Sequence, residues 1–189
     1  KGVQLWDVGV ERQVQIKGPD AEALSQFLTP RNIKKCSKGQ AMYAPLLDFE
    51  GGFVNDPVML KIDEDCYWFS LADGDALLWV QAIAAGHKFN ADIHEPDVSP
   101  LQVQGPNSTK LMVKVFGDWV NDLGFYKFKE VNHEGIPMVI ARMGYSRELC
   151  YEIFLQDHSK GDELWEILWQ AGLDLNISAG SPNIIRFLV

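Results

Sequence analysis

The chain is poor in cysteine and histidine. It has 3 cysteines and 4 histidines, with no CxxC pair and no metal-ligand spacing among the histidines. Three scattered thiols, Cys36, Cys66 and Cys150, do not make a disulfide framework and are typical of reduced cysteines inside the cell. We therefore expect neither a zinc site nor a disulfide-stabilised secreted fold, and we predict a cytoplasmic location.

Basic residues and long apolar runs are also scarce. The chain has 17 lysines and arginines against 26 aspartates and glutamates, a net charge of −9. A general nucleic-acid binder needs a basic surface, and an anionic membrane repels an acidic one. No apolar run approaches the length of a bilayer span, and no signal peptide or phosphate-binding glycine loop is present. We expect no nucleic-acid partner and no membrane partner.

The most informative positive feature is an internal repeat. Gly18-Pro19 and Gly105-Pro106 begin 87 positions apart, and each pair joins a strand-like segment to an apolar helical pattern. Glycine permits the turn and proline suits the first helical turn. Asp20 and Asn107 are expected to cap the two helices. The alternative is that two such turns arose by chance.

The repeat predicts an α+β fold of duplicated βαββαβ (ferredoxin-like) halves, in which helices cover mostly antiparallel sheets. Prolines bracket the polar segment 95–100, which places the halves at residues 1–95 and 96–189. In the first half, residues 53–62 are predicted to form one strand. A later helix is predicted to start after an Asp73 cap and to stop at Gly86.

Two carboxylates fall within predicted strands, where apolar neighbours make a charge costly. Strand alternation places Asp56 on the same face as Val54 and Val58, and it places Glu152 on the same face as Cys150 and Phe154. A carboxylate on an apolar face needs a partner or a ligand, so both are candidate site residues. The alternatives are a local turn aspartate before proline for the first, and a cross-hairpin ion pair with Arg142 or Arg147 for the second.

At these residues the sequence resembles the folate-binding domain of the glycine-cleavage T-protein (aminomethyltransferase) family. The matching segments occur in the family's order and cover almost the whole chain; they are Leu5-Trp6-Asp7-Val8, Gly18-Pro19-Asp20-Ala21, Gly51-Gly52-Phe53-Val54-Asn55-Asp56, Val103-Gln104-Gly105-Pro106, Gly144-Tyr145-Ser146-Arg147-Glu148 and Tyr151-Glu152-Ile153. Three further segments look more like the dimethylsulfoniopropionate demethylase branch, namely 7–14, 86–89 and 181–186.

The resemblance implies tetrahydrofolate as cofactor, accepting a one-carbon unit. It places Asp56 beside the reactive edge of the folate as the catalytic residue. It implies that Glu152 grips the pterin through its N–H groups, because a carboxylate offers two acceptor oxygens. Tyr145 lines the same pocket, and Phe69 is a further predicted cofactor-binding residue.

The sequence departs from the family at two predicted site positions. Arg147 stands where the family often has glycine, and Pro182 stands where the glycine-cleavage enzymes carry a folate-contacting arginine. The chain begins and ends inside apparent structural elements, so we expect it to be a fragment of a longer protein.

The leading hypothesis is a tetrahydrofolate-dependent methyl or aminomethyl transferase. Its partner is a small-molecule methyl or aminomethyl donor. A lipoyl-carrier protein is a further candidate partner. If the donor is a cation, aromatic faces can hold it, with Tyr43, Tyr67, Trp68 and Tyr145 as candidates. The alternatives are the folate domain of a larger dimethylglycine- or sarcosine-type oxidase, and a non-catalytic folate-binding assembly or regulatory protein.

Overall fold

The computed structural model describes residues 2–72, 74–146 and 148–181. The chain divides into two compact units. The first unit is Val10–Pro96, and the second combines Lys1–Gly9 with Asp97–Val189. This division differs from halves of 1–95 and 96–189 because strand β1 (Val3–Asp7) pairs with strands of the second unit.

The first unit has an antiparallel sheet covered by two helices. Its elements are β2 (Gln13–Lys17), α1 (Ala21–Leu28), β3 (Ala41–Tyr43), β4 (Leu46–Leu47), β5 (Phe53–Asn55), β6 (Val58–Asp63), β7 (Cys66–Ser70), α2 (Leu77–His87) and β8 (Asp92–His94). Five strands form the sheet in the order β3-β6-β7-β2-β8, and β4 and β5 form a separate hairpin. Side chains from alternate strand positions, such as Ile16, Tyr67 and Phe69, pack with Leu24 of α1 and Val80 of α2 in one core.

The second unit repeats this arrangement. Its elements are β1, β9 (Ser99–Gln104), α3 (Ser108–Phe116), β10 (Phe128–His133), β11 (Ile136–Ala141), β12 (Cys150–Leu155), α4 (Gly161–Gly172) and β13 (Ile177–Gly180). The sheet order is β10-β11-β12-β9-β1-β13. Val103 and Ile153 of the sheet pack with Leu111 of α3 and Leu164 of α4, so both helices lie on one face.

The two sheets have equivalent topology. Strands β3, β6, β7, β2 and β8 correspond in order to β10, β11, β12, β9 and β13, and β1 is inserted between the last two. Leaving out the edge strands β3 and β10 and the inserted β1, the order β6-β7-β2-β8 in the first unit and β11-β12-β9-β13 in the second is that of a ferredoxin-like unit. The prediction of an α+β fold with duplicated ferredoxin-like halves is thereby confirmed.

The repeated Gly-Pro turns have the same geometry. Gly18 and Gly105 have φ values of 130° and 114°, in the region that favours glycine. The carbonyl of Gly18 accepts from the N–H of Ala21 at 3.0 Å, and that of Gly105 accepts from the N–H of Ser108 at 2.9 Å. The repeat seen in the sequence is therefore a repeat in structure.

The predicted helix caps are wrong. Neither Asp20 nor Asn107 makes a side-chain cap hydrogen bond, although each stands at the N-cap position. The Asp20 carboxylate accepts instead from the backbone N–H of Asn90 at 2.7 Å. Asn107 donates from its side chain to the carbonyl of Leu175 at 3.2 Å. Both side chains tie the Gly-Pro turn to the segment that precedes the last strand of their unit.

Two other local predictions differ from the structure. The strand expected over 53–62 is divided into β5 and β6, because the backbone at Asp56 and Pro57 leaves the ladder. Helix α2 continues past Gly86 to His87, and its C-cap residue Lys88 takes the left-handed conformation with φ 61°. The predicted Asp73 cap lies outside the described residues. In the described part of the chain, no helix is both long and apolar enough to cross a bilayer.

Candidate functional site

A row of buried polar side chains lies on the helix-free face of the second unit's sheet. Strands β9 and β12 are antiparallel neighbours that pair Glu152 with Gln102 and Cys150 with Gln104. Their alternate neighbours, such as Ile153, face the helix-side core, so these four side chains project from the opposite face. We call Gln102, Gln104, Cys150 and Glu152 the polar row.

Burial makes this row unusual for a sheet surface. Glu152 is 5% exposed, Gln102 is 1% exposed and Gln104 is 7% exposed. Polar groups at such positions are costly unless they form hydrogen bonds. The placement confirms that Glu152 lies in a strand with Cys150 and Phe154 on its face, as the alternation predicts.

The Gln102 amide uses its donor group within the row and leaves its carbonyl as an acceptor. Gln102 donates through Nε2 to Oε1 of Gln104 at 3.2 Å and to Sγ of Cys150 at 2.9 Å. Ser146 donates through Oγ to the same Gln104 oxygen at 2.5 Å. The side-chain carbonyl of Gln102 is buried and receives no hydrogen bond from the residues that the structure describes. The row therefore presents a buried oxygen that can accept from a ligand.

The segment before β12 covers one end of the row. A Cβ atom built on Gly144 would lie 2.7 Å from Sγ of Cys150 and 3.5 Å from Nε2 of Gln102, so glycine is needed for this close approach. Tyr145 follows and is 55% exposed. The structure thus brings the predicted residue Tyr145 into a segment that contacts the row holding Glu152. Arg147 and Pro182 lie outside the described residues.

Asp56 occupies the connection between β5 and β6 and is exposed, which corrects the expectation that it lies within a strand. Its neighbours are held on both sides. The side chain of Asn55 accepts from the N–H of Ala72 at 3.3 Å, and the carbonyl of Pro57 accepts from the N–H of Ala44 at 3.0 Å. A fixed backbone therefore presents a carboxylate to solvent.

The remaining predicted residues belong to the first unit and face different ways. Phe69 is fully buried in the helix-side core, as is Tyr67 at 1% exposure. Packing accounts for both rings, and a contact between Phe69 and the cofactor stays a prediction. Trp68 lies on the opposite face and donates through Nε1 to Gln15 at 2.9 Å. Tyr43 is 38% exposed.

Sequence reasoning missed Gln102, Gln104 and Ser146. The signal was available, because Gln102 and Gln104 alternate with the apolar residues Leu101 and Val103 in β9. Two glutamines on one face of a central strand indicate a polar row just as a single carboxylate does. The described residues contain no group of three or more histidine, cysteine or acidic side chains that could hold a metal ion.

The first unit also has polar groups that were not among the residues predicted from the sequence. Gln13 is 2% exposed, and in the described part of the chain no group donates to its side-chain carbonyl. Two residues earlier, burial raises the pKa of Glu11 to about 7. This carboxyl group therefore titrates near neutral pH, where most glutamates are fully ionised.

Comparisons with known proteins agree with this architecture. Dimethylsulfoniopropionate demethylase DmdA of Ruegeria pomeroyi is 46% identical over 184 residues, which cover 97% of the chain and 50% of that protein. The aminomethyltransferase of Halothermothrix orenii is 30% identical over 177 residues, covering 92% of the chain and 49% of the enzyme. The chain thus spans about half the length of these curated relatives.

A solved structure shows the same fold. The glycine cleavage system aminomethyltransferase T from Bartonella henselae superposes with a TM-score of 0.82 at 22% identity, covering 94% of this chain and 47% of that one. The GCVT N-terminal domain model matches residues 1–185. The resemblance drawn from the motifs is confirmed, and the chain belongs to the GCVT N-terminal domain family.

Proposed function

We propose that this chain is the tetrahydrofolate-binding part of an enzyme that transfers a one-carbon unit from a small molecule to folate. The observation that carries the proposal is the buried carboxylate of Glu152 within the polar row. Support also comes from the 46% identity with a dimethylsulfoniopropionate demethylase and from the 30% identity with an aminomethyltransferase.

The donors and acceptors of the polar row fit a pterin. The pyrimidine edge of a pterin carries a ring N–H and an amino group, which are adjacent donors. An ionised carboxylate accepts two such hydrogen bonds in parallel, and bonds of this kind are about twice as strong as neutral ones. Glu152 would hold the ring in this way, at a position where little water competes. Tyr145 would line the same pocket.

Tetrahydrofolate supplies a nucleophilic nitrogen that accepts the one-carbon unit. Asp56 is proposed to accept a hydrogen bond or the departing proton at that nitrogen, as the catalytic residue. An exposed carboxylate on a backbone fixed at Asn55 and Pro57 is suited to such a role, because its position does not depend on a flexible loop. Alignment of donor and acceptor would supply much of the rate.

For the donor, we propose a small sulfonium compound that gives up a methyl group. The identity with the demethylase favours it over an aminomethyl group on a lipoyl carrier, which is the second candidate. The carbon–sulfur bond breaks and its electron pair stays on sulfur as a thioether. A carbon–nitrogen bond forms on the folate, whose proton is released. The cationic donor can be held by an aromatic face, for which Tyr145 and Tyr43 are exposed.

Calorimetric titration of tetrahydrofolate tests the proposal. The chain would be measured within its complete reading frame, beside Glu152→Ala and the control Glu130→Ala, whose residue is exposed on β10. We expect binding to weaken at least tenfold in Glu152→Ala and to stay unchanged in the control. Failure of the unsubstituted protein to bind would overturn the folate proposal.

A second measurement separates the donors. Turnover would be followed with dimethylsulfoniopropionate and with an aminomethyl-lipoyl carrier at saturating tetrahydrofolate. We expect turnover with the sulfonium donor. Turnover with the lipoyl carrier alone would identify the aminomethyl reaction instead. Folate binding without turnover on either would favour a non-catalytic binding role.

A further inference from the structure

We propose that Gln102 is a second pterin-binding residue, whose side-chain carbonyl accepts a hydrogen bond from the 2-amino group beside the acceptor oxygens of Glu152. This inference rests on the proposed function and adds a residue that determines which pterins are accepted. Its starting point is that Oε1 of Gln102, in a side chain that is 1% exposed, is buried and finds no hydrogen-bond donor within residues 2–72, 74–146 and 148–181.

The duplicated fold provides a matched comparison. Gln15 stands 87 positions before Gln102 on the equivalent strand, β2. Gln15 pairs across the sheet with Trp68, as Gln102 pairs with Glu152. In the first unit, Nε1 of Trp68 donates to Oε1 of Gln15 at 2.9 Å. In the first unit, the glutamine carbonyl at this position therefore receives its hydrogen bond from another side chain of the protein.

In the second unit, the cross-strand neighbours of Gln102 do not provide that donor. The carboxylate form of Glu152, which the proposed function requires, only accepts hydrogen bonds. On the other side, Gln102 pairs with Trp6 of β1, but Nε1 of Trp6 donates to Gln4 at 3.1 Å. The carbonyl of Gln102 is thus an acceptor without a donor among the described residues, and it lies beside a second acceptor, the carboxylate of Glu152.

The orientation of the Gln102 amide is held by its neighbours. Its Nε2 donates to Gln104 Oε1 and to Cys150 Sγ. Rotating the amide by half a turn would place two carbonyl oxygens opposite each other, because Gln104 Oε1 already accepts from Ser146. The arrangement therefore fixes the carbonyl as the free group.

A buried acceptor without a donor lowers the stability of the ligand-free protein. Each such group in a native structure calls for an explanation, and a ligand that supplies the missing donor is one. The 2-amino group of a pterin has two N–H bonds, and with the ring N–H the edge has three donors. Glu152 can take two of them in parallel, and the carbonyl of Gln102 can take the third. A pterin that lacks the amino group would lose this third bond.

The test compares two ligands and two proteins within the complete reading frame. The ligands are tetrahydrofolate and its 2-desamino-2-methyl analogue, and the variant is Gln102→Met, which keeps the side-chain volume. We expect tetrahydrofolate to bind about tenfold more weakly to Gln102→Met, and the analogue to bind both proteins equally. Gln15→Met, at the equivalent position of the first unit, should leave the preference between the two ligands unchanged.

Each result decides the inference. If tetrahydrofolate binds the unsubstituted protein and Gln102→Met equally well, Gln102 does not contact the pterin, while the proposed function stands. If the unsubstituted protein binds neither ligand, the proposed function and the inference both fail. If Gln102→Met does not fold, Gln102→Asn replaces it as the test variant. The asparagine side chain is one methylene shorter, so its carbonyl lies farther from the pterin. We expect it to weaken tetrahydrofolate binding and to leave binding of the analogue unchanged.

Discussion

Asp20 and Asn107, 87 residues apart, make the same structural connection in the two units with opposite chemistry. The Asp20 side chain accepts a hydrogen bond from the backbone N–H of Asn90, and the Asn107 side chain donates one to the backbone carbonyl of Leu175. In each case the turn that opens a helix is tied to the segment leading into the last strand. The duplication has kept this connection while changing which partner donates.

Replacement of either residue by alanine is expected to destabilise its unit. One hydrogen bond is lost in each, so the free energy of unfolding should fall by about 1 kcal/mol for Asp20→Ala and for Asn107→Ala. Urea denaturation measures both. Asp20→Asn is the control, because its side-chain oxygen can still accept from Asn90, and it should recover part of the loss. Equal losses for Asp20→Asn and Asp20→Ala would contradict this account.

Two glycine substitutions are expected to have opposite signs. Gly144→Ala places a Cβ atom 2.7 Å from Sγ and 2.8 Å from Cβ of buried Cys150, so we expect a loss of about 1–3 kcal/mol in unfolding free energy. Gly86→Ala lies inside α2 with open space around it, so helix propensity should add about 0.5–1 kcal/mol. Chemical denaturation of the two variants under identical conditions makes the comparison. A neutral Gly144→Ala would show that Cys150 shifts freely.

Much of the architecture could be predicted because it depends on local patterns. The repeated Gly-Pro turns and the alternation in β2, β9 and β12 predict strands and helices at the observed places. The side chains of Asp20 and Asn107 could not be placed in this way, because each bonds to a residue 68 or more positions away. Local capping rules favour the helix N-terminus, and a tertiary partner competes with it.

The candidate site was predictable only in part for a similar reason. The burial of Glu152 follows from strand alternation, which is a local signal. The unsatisfied carbonyl of Gln102 depends on which residues lie opposite it in β12 and β1, and pairing register is not a property of one segment. The exposure of Asp56 follows from the interruption before Pro57, which removes a ladder donor.

Stability is expected to fall as pH rises through the range in which Glu11 ionises. Burial raises the pKa of Glu11 from 4.5 to about 7, so the folded protein keeps a proton that the unfolded chain has released. The unfolded state then binds fewer protons, and the unfolding free energy decreases between about pH 4.5 and pH 7. The contribution is on the order of 3 kcal/mol when the group is fully ionised.

Glu11→Gln should remove this part of the pH dependence, because an amide does not titrate. We expect the variant to be more stable than the unsubstituted protein at pH 8 and to approach it near pH 5, as measured by thermal or urea unfolding across that range. Glu130→Gln, at an exposed position of β10, is the matched control and should leave the profile unchanged. Parallel profiles for Glu11→Gln and the unsubstituted protein would show that burial does not perturb this carboxyl.

Asp56→Asn is expected to separate catalysis from folding. The side chain is exposed, so the unfolding free energy should change by less than about 0.5 kcal/mol. If Asp56 manages the proton of the reacting nitrogen, folate-dependent turnover should fall by about 10²- to 10⁴-fold while tetrahydrofolate still binds.

Asp65→Asn is the control, since Asp65 is likewise an exposed aspartate between two strands and uses its backbone carbonyl to accept from Gly18. Because both variants remove one exposed negative charge from the same unit, a loss confined to Asp56→Asn cannot arise from net charge and must come from the position of the carboxylate. Turnover that survives in Asp56→Asn would remove Asp56 from the mechanism and leave the pterin-binding role of Glu152 intact.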